Sequence, residues 1–420
     1  MMQTFSDANL DPKFIETLTR IGFTQPTPIQ QQSIPLSLNG QDILGSAQTG
    51  TGKTGAFGIP VIAYLMNNPK HQALILLPTR ELAMQVEKAL KTFMYGESIK
   101  SVVLIGGDSM PKQISQLRTS PRLIIGTPGR INDHLERKTL SLKHTGFLVL
   151  DEMDRMLDMG FDVQLEAIAK FLPESRQTLM FTATMPKKME ALAQRYLKNP
   201  VRICVGDNQT PVDNIEQETV QVSESEKYQH YIKELEKRTG SIITFVKTKS
   251  SADRMATKLR EKGHTVEALH GDLRQSKRSW VIDKFRRSKC RILIATDVAA
   301  RGLDIPHIEH VINYDLPQAP EDYIHRIGRT ARAGAKGFAL NLLSPEDMRK
   351  WHMIQKLLNP EYKVPRAEPK EKAFKHKRPP VQARNKTKHF GAKPTGGKPA
   401  GAKPFSAKPG SGQRRRVHGA

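Results

Sequence analysis

Along most of this chain, short apolar runs alternate with longer stretches whose apolar residues recur at helical spacing. In the first half the runs are Asp42–Ser46, Ala73–Leu77, Ser101–Ile105, Arg122–Gly126, Phe147–Leu150, Gln177–Phe181 and Val201–Val205. Strands separated by helices in this way predict a parallel sheet covered by helices. Several runs empty into polar or glycine-containing loops: Pro78-Thr79-Arg80, Gly106-Gly107, Thr127-Pro128-Gly129-Arg130, Asp151-Glu152 and Thr182-Ala183-Thr184. Ligands of open α/β sheets gather at the carboxyl ends of the strands, so these loops are expected to share one edge. The polar segment from Gly206 to Asn214 breaks the periodicity and reads as a linker. A second alternation follows, with strands expected at Ser241–Val246, Thr265–Leu269, Arg291–Ala295, His310–Tyr314 and Gly337–Leu343. Helices are expected between them at Ser251–Lys262 and Gln275–Phe285, and after them at Pro345–Leu358. The pattern therefore predicts an α/β fold of two tandem parallel-sheet domains, 1–205 and 217–362, joined by a linker at 206–216.

Past Tyr362 the alternation stops. Residues 363–420 hold 17 Lys and Arg against Glu368 and Glu371, so 15 of the 24 net positive charges lie there. A five-residue unit recurs from Gly391 and sets Lys393, Lys398, Lys403 and Lys408 in register, each before a proline. Glycine and proline at this density cannot build a core, so the segment is expected to be a disordered arm suited to phosphates. A net charge of +24 favours an anionic partner. Nucleic acid fits better than a membrane, because no basic helix carries an aromatic face. With only Cys204 and Cys290 and no C-x-x-C, neither a disulfide framework nor a cysteine zinc site is supported. No apolar run reaches the ~18 residues of a membrane span, and Met1 to Phe14 has no apolar core. The expected setting is the cytoplasm.

The strongest chemical signal is Ala47-Gln48-Thr49-Gly50-Thr51-Gly52-Lys53-Thr54, lying between a predicted strand and a predicted helix. Its glycines let backbone N–H groups approach anionic oxygens, and the helix N-terminus adds positive potential. Lys53 supplies a cation for the β- and γ-phosphates and Thr54 a hydroxyl for Mg²⁺. This is a phosphate-binding loop, with Ala47 at the position usually held by its first glycine. Downstream, the apolar run Phe147–Leu150 delivers Asp151 and Glu152, one to hold Mg²⁺ and one to orient and deprotonate water. Late in the second half, His325-Arg326-Ile327-Gly328-Arg329-Thr330-Ala331-Arg332 places three arginines at spacing three. Such a cluster either binds nucleic-acid phosphate or reaches a γ-phosphate from the other domain.

Taken in order, these motifs resemble those of DEAD-box ATP-dependent RNA helicases of superfamily two, and the bacterial RhlE-like kind most. Phe5 and the stretch from Gly22 to Gln30 resemble the Q motif, AQTGTGKT motif I, PTRELA motif Ia, Gly106-Gly107 the GG doublet and TPGR motif Ib. Ile243 to Thr248 resembles motif IV, Gln275 with Arg278 the QxxR element, Ala295 to Asp304 motif V, and His325 to Arg332 motif VI. Three positions depart from the family pattern: Met153 replaces Ala in motif II, Thr182 replaces Ser in motif III, and Ala331 replaces Gly in motif VI. The resemblance implies two RecA-like domains and an RNA-stimulated ATPase. ATP would be held by Phe23, Gln25, Gln30, the loop Ala47 to Thr54, Gly302 and Asp304. Lys53, Asp151, Glu152, Arg329 and Arg332 would act in hydrolysis, with Mg²⁺ at Thr54 and Asp151. RNA would meet Thr79, Arg80, Gly107, Thr127, Gly129, Arg130, Gln275, Arg278 and Thr296, largely through its backbone. The short interval from Thr184 to Ile243 leaves no room for an inserted wedge, which implies local opening of short duplexes or remodelling of RNA–protein complexes. The rival readings are an ATP-gated RNA clamp and a superfamily-two DNA helicase. Ribosomal or RNA-decay assemblies are candidate surroundings, with ribosome assembly, RNA decay and cold adaptation all open as the setting.

Overall fold

The computed structural model describes residues 2–365 apart from 48–49, 95, 97, 184–186, 206–213, 301–304, 306, 332–335 and 360. Most of the expected linker and nearly all of the expected basic arm therefore lie outside the described residues. The strands of the first lobe are β1 (Ile43–Ala47), β2 (Gln72–Leu76), β3 (Ser101–Leu104), β4 (Leu123–Gly126), β5 (Thr145–Leu150), β6 (Gln177–Thr182) and β7 (Val201–Val205). The second lobe follows with β8 (Ile215–Gln221), β9 (Ile242–Phe245), β10 (Val266–Leu269), β11 (Ile292–Ala295), β12 (His310–Asn313) and β13 (Gly337–Leu343). Both lobes belong to one unit, Met1–Val364.

Each sheet is parallel, ordered β3-β4-β2-β5-β6-β1-β7 in the first lobe and β10-β11-β9-β12-β13-β8 in the second. Helices cover both faces, which is why the strands read as continuous apolar runs. Along β5 successive residues alternate between the two cores, Phe147 and Val149 on one side of the sheet and Leu148 and Leu150 on the other. The same division appears on β9, where Ile243 and Phe245 enter one core and Ile242 the other. The helix Lys53–Asn67 is apolar almost all round because it runs through the middle of the lobe, with every residue from Gly55 to Ala63 buried. Asp42 ties β1 to its neighbours: its carboxylate accepts from Thr178 N and Lys198 N, both at 2.7 Å.

Two elements differ from the sequence reading. Strand β8 begins inside the expected linker and pairs with β13 over seven positions, from Ile215–Gly337 to Gln221–Leu343. The final helix starts at Met348, after a 3₁₀ turn at Pro345–Asp347.

Candidate functional site

The strand order divides the carboxyl edge of the first sheet into two halves. Strands β5, β6 and β1 lie side by side and deliver Asp151-Glu152, Thr182-Ala183 and the phosphate loop. Strands β3, β4 and β2 lie beyond them and deliver Gly106-Gly107, Thr127 to Arg130 and Thr79-Arg80.

In the phosphate loop, Gly50 and Gly52 take φ of +90° and +95°, backbone that L side chains rarely adopt. Gly52 is doubly required, since a Cβ there would meet Gln30 Nε2 at 2.7 Å. Gln30 is itself buried and braced, accepting from Thr27 N at 3.0 Å and donating to Gly52 O at 2.9 Å. Its amide keeps one lone pair and one N–H beyond these two bonds. Phe23 stands beside it, packed edge-on against Phe93 at 5.1 Å and tilted against Phe5 at 6.0 Å. Lys53 opens the helix, and its ammonium donates to Ala47 O at 2.8 Å, which points it back across the loop. Thr51 and Thr54 flank it. Gln48 and Thr49 lie outside the described residues.

Asp151 and Glu152 are both buried at the end of β5. Burial, opposed by the Lys53 charge and reinforced by Glu152, pushes the Asp151 carboxyl up to about 6. A carboxylate this costly to ionise without a partner suits a site that receives a cation. Glu152 takes φ +51°, a left-handed conformation unusual for a residue with a side chain, and caps the helix Met153–Asp158. Arg155, one turn on and buried, donates from Nη1 to Glu152 Oε2 at 2.7 Å. Its Nη2 lies 3.0 Å from Nδ1 of His325, in the second lobe. Asp154 accepts from Ala183 N at 2.9 Å, joining the carboxylate loop to the end of β6.

The three arginines of the second lobe separate on inspection. Arg326 is buried and fully engaged, paired with Asp297 at 2.5 and 2.8 Å, donating to Asn313 Oδ1 at 2.9 Å and lying over the Phe245 ring. Arg329 is also buried, and its Nε donates to His325 O at 3.0 Å. Arg332 lies outside the described residues, as do Gly302 and Asp304.

On the other half of the edge, Thr79 caps the helix Arg80–Phe93, accepting from Leu82 N at 3.3 Å, and Thr127 precedes the helix Pro128–Glu136. Both helix N-termini thus open at the same edge, where they favour anions. Arg80 lies against the glycine doublet so closely that a Cβ at Gly107 would collide with its Nη1. Burial and the like charges of Arg278 and Arg130 lower the pKa of Arg80, a cluster that an anion would relieve. Gly129 has open space around it. A groove of about 620 Å³ runs between the lobes here, lined among others by Gly107, Lys112, Arg274, Gln275 and Ser279. Gln275 is buried on that groove with its Oε1 lacking a hydrogen-bond donor. Arg278 points elsewhere: it donates to Glu81 Oε1 at 2.7 Å across the lobes and to His270 O at 2.9 Å. Thr296 lies at the end of β11, just before the turn Asp297–Ala300. Arg155, Glu81, Lys112 and Arg274 are among the site-bordering residues that the sequence reading did not single out.

Known proteins resemble this chain over most of its length. The family model described as DEAD/DEAH box helicase matches residues 27–192, and that described as helicase conserved C-terminal domain matches 226–334. The chain is 45% identical over 349 residues to the ATP-dependent RNA helicase CshA of Listeria monocytogenes, spanning 83% of this chain and 67% of that protein. It belongs to the DEAD-box helicase family. The DEAD-box ATP-dependent RNA helicase CshA of Geobacillus kaustophilus is 43% identical over 84% of this chain and 76% of its own. Among solved structures, Saccharomyces cerevisiae Dbp5 bound to RNA and ADP BeF3 superposes with a TM-score of 0.77 at 32% identity, covering 85% of this chain and 94% of that one.

Against the DEAD-box pattern, the three departures have distinct physical settings. Met153 is fully buried and fills the core beneath the carboxylate loop. Thr182 is buried at the end of β6, paired in register with Ser46 of the phosphate-loop strand. Ala331 takes φ +56°, so this chain holds an alanine in backbone that glycine adopts freely.

Proposed function

We propose that the chain is an ATP-dependent RNA helicase that opens short duplexes locally or remodels RNA–protein complexes. The observation that carries this reading is the chain of contacts Glu152–Arg155–His325, which ties the hydrolytic carboxylate of one lobe to the arginine-bearing motif of the other. RNA held across the groove would favour the closed lobes, and closure would bring Arg329 and Arg332 to the γ-phosphate.

In this reading, the N–H groups from Ala47 to Thr54 and the Lys53 ammonium hold the phosphates. Gln30, already locked to Gly52, presents its remaining acceptor and donor to the adenine edge, with Phe23 and Gln25 beside it. Mg²⁺, when bound, draws negative charge from the phosphates, and Thr54 and Asp151 are the residues that would hold it, partly through water. Glu152 takes the proton of the attacking water. Thr79, Arg80, Gly107, Thr127, Gly129, Arg130 and Thr296 hold the RNA backbone, and the unpaired Gln275 acceptor suits a ribose 2′-hydroxyl. Arg278 serves RNA binding by joining the lobes through Glu81.

The basic segment 363–420 adds sequence-independent phosphate contacts. The working place is the cytoplasm, on ribosomal or RNA-decay assemblies; among the described residues no helix is long and apolar enough to cross a membrane. Comparing ATPase stimulation by matched RNA and DNA strands tests the reading. Stimulation by RNA alone is expected, and equal stimulation by DNA would overturn it.

A further inference from the structure

The helix Gln275–Arg286 buries Gln275, Arg278, Val281, Ile282 and Phe285 and turns its other side to solvent. On that outer side stands Trp280, 48% exposed. Lys277 and Lys284 hold their ammonium groups 3.7 and 4.9 Å from the centre of its ring. Spacings of three and four put all three on one stripe of the helix. Ser276, one turn before Trp280, and Ser279, its neighbour, line the groove between the lobes. The indole therefore stands on the helix that walls the groove, one turn along from its lining.

We propose that Trp280 is a stacking platform for an unpaired base of the RNA strand where it leaves the groove, with Lys277 and Lys284 taking the flanking phosphates. The inference rests on the RNA-helicase reading and extends it. An exposed indole offers a flat apolar face that any base can cover, and stacking of this kind tolerates every sequence. The two ammonium groups rest on the ring through cation–π attraction, which is weak at exposed sites. An arriving nucleotide would exchange them for a base on the ring and move them to its phosphates. Nucleic acid is favoured over an acidic protein because the platform continues a groove lined by Lys112 and Arg274, with Arg80 against its Gly107 and Arg130 donating to its Asp108 O.

The chain has two tryptophans, and the other, Trp351, packs edge-on against Tyr323 at 5.8 Å. In the full chain carrying Trp351→Phe, Trp280 is the sole tryptophan, and excitation at the red edge of its band leaves the tyrosines dark. Oligoadenylates lengthened one nucleotide at a time, with a non-hydrolysable ATP analogue, should quench it only once they outrun the groove. One abasic position in a long strand should abolish the quench. Trp280→Ala should weaken the long strands about tenfold and leave the short ones unchanged, while Trp280→Phe should retain most of the affinity. Long strands that bind tightly with unaltered emission, and equally well to Trp280→Ala, would overturn the platform and leave the helicase reading standing. Quenching by an acidic polypeptide but not by RNA would also overturn it. Failure of every RNA to bind would instead remove the helicase reading beneath it.

Discussion

Glu81 and Arg278 belong to different lobes, yet they share a 2.7 Å hydrogen bond with both side chains almost dry. The pair joins the helix that follows β2, at the half of the edge proposed to meet RNA, to the helix that walls the groove. Removing one member strands the other as a buried charge, a loss of about 3–5 kcal/mol for such pairs. Glu81→Ala should therefore raise the RNA concentration for half-maximal ATPase at least tenfold, with ATP affinity nearly unchanged. Glu81→Arg with Arg278→Glu should recover part of that. An RNA titration of the ATPase decides it, and an unshifted midpoint would show that the pair adds nothing to closure.

Lys53 and Glu152 should fail differently. Lys53→Ala removes the cation at the β/γ-phosphates and should abolish hydrolysis together with tight ATP binding. Glu152→Gln should hold ATP and RNA while turnover stalls, because the amide cannot accept the proton of water. RNA retention in the presence of ATP, measured alongside phosphate release, separates the two. Turnover of Glu152→Gln within a few-fold of the parent would assign the general base elsewhere.

The Asp151 carboxyl, raised from 3.8 to about 6 by burial, makes the nucleotide-free protein pH-sensitive. The folded chain holds this proton more tightly than the unfolded one. Its contribution to stability is thus complete below pH 3.8 and lost as pH rises through about 6. Asp151→Asn, neutral at every pH, should be inactive yet more stable than the parent at pH 8, by up to about 3 kcal/mol. The gap should close at acid pH. Urea unfolding at both ends of the range gives the sign, and parent ATPase should fall on acidification at a pH below about 6 that drops further as Mg²⁺ is raised, because protons compete with the metal.

Ala331 sits at φ +56°. Left-handed backbone costs alanine roughly 1 kcal/mol more than glycine, so Ala331→Gly should stabilise the second lobe by about that amount, less the entropy glycine gains when unfolded. Denaturation midpoints of the two proteins provide the check. A destabilised glycine variant would mean that the surroundings have adapted to the methyl group.

The sheets were legible because helices bury both faces of nearly every strand, so the apolar runs stand out from polar loops. Strand β8 gave no such signal: in IEQETVQ only Ile215 is buried, and pairing with β13 at the sheet's rim makes it a strand. The phosphate loop and the Asp151-Glu152 pair were readable because their chemistry is local. Arg155 was not, since its meaning depends on His325, 170 residues away. Glu81 read only as one letter of the PTRELA motif until the other lobe brought Arg278 to it. Three evenly spaced arginines gave no way to tell Arg326, locked over Phe245 and onto Asp297, from Arg329.

Strand β1 lies between β6 and β7, the last two strands of its lobe. Its anchoring residue Asp42 waits for Thr178, 136 residues later, and then for Lys198. As the chain leaves the ribosome, the loop from Ala47 to Thr54 is thus made early and seated late. A nascent lobe cut short before Val201 would leave one edge of β1 unpaired, and one cut short before Gln177 would leave both open, with the phosphate loop poorly seated for ATP. Nucleotide binding accordingly reports that the first lobe is complete, and ATP in the cell would rescue finished lobes while leaving interrupted ones to proteases.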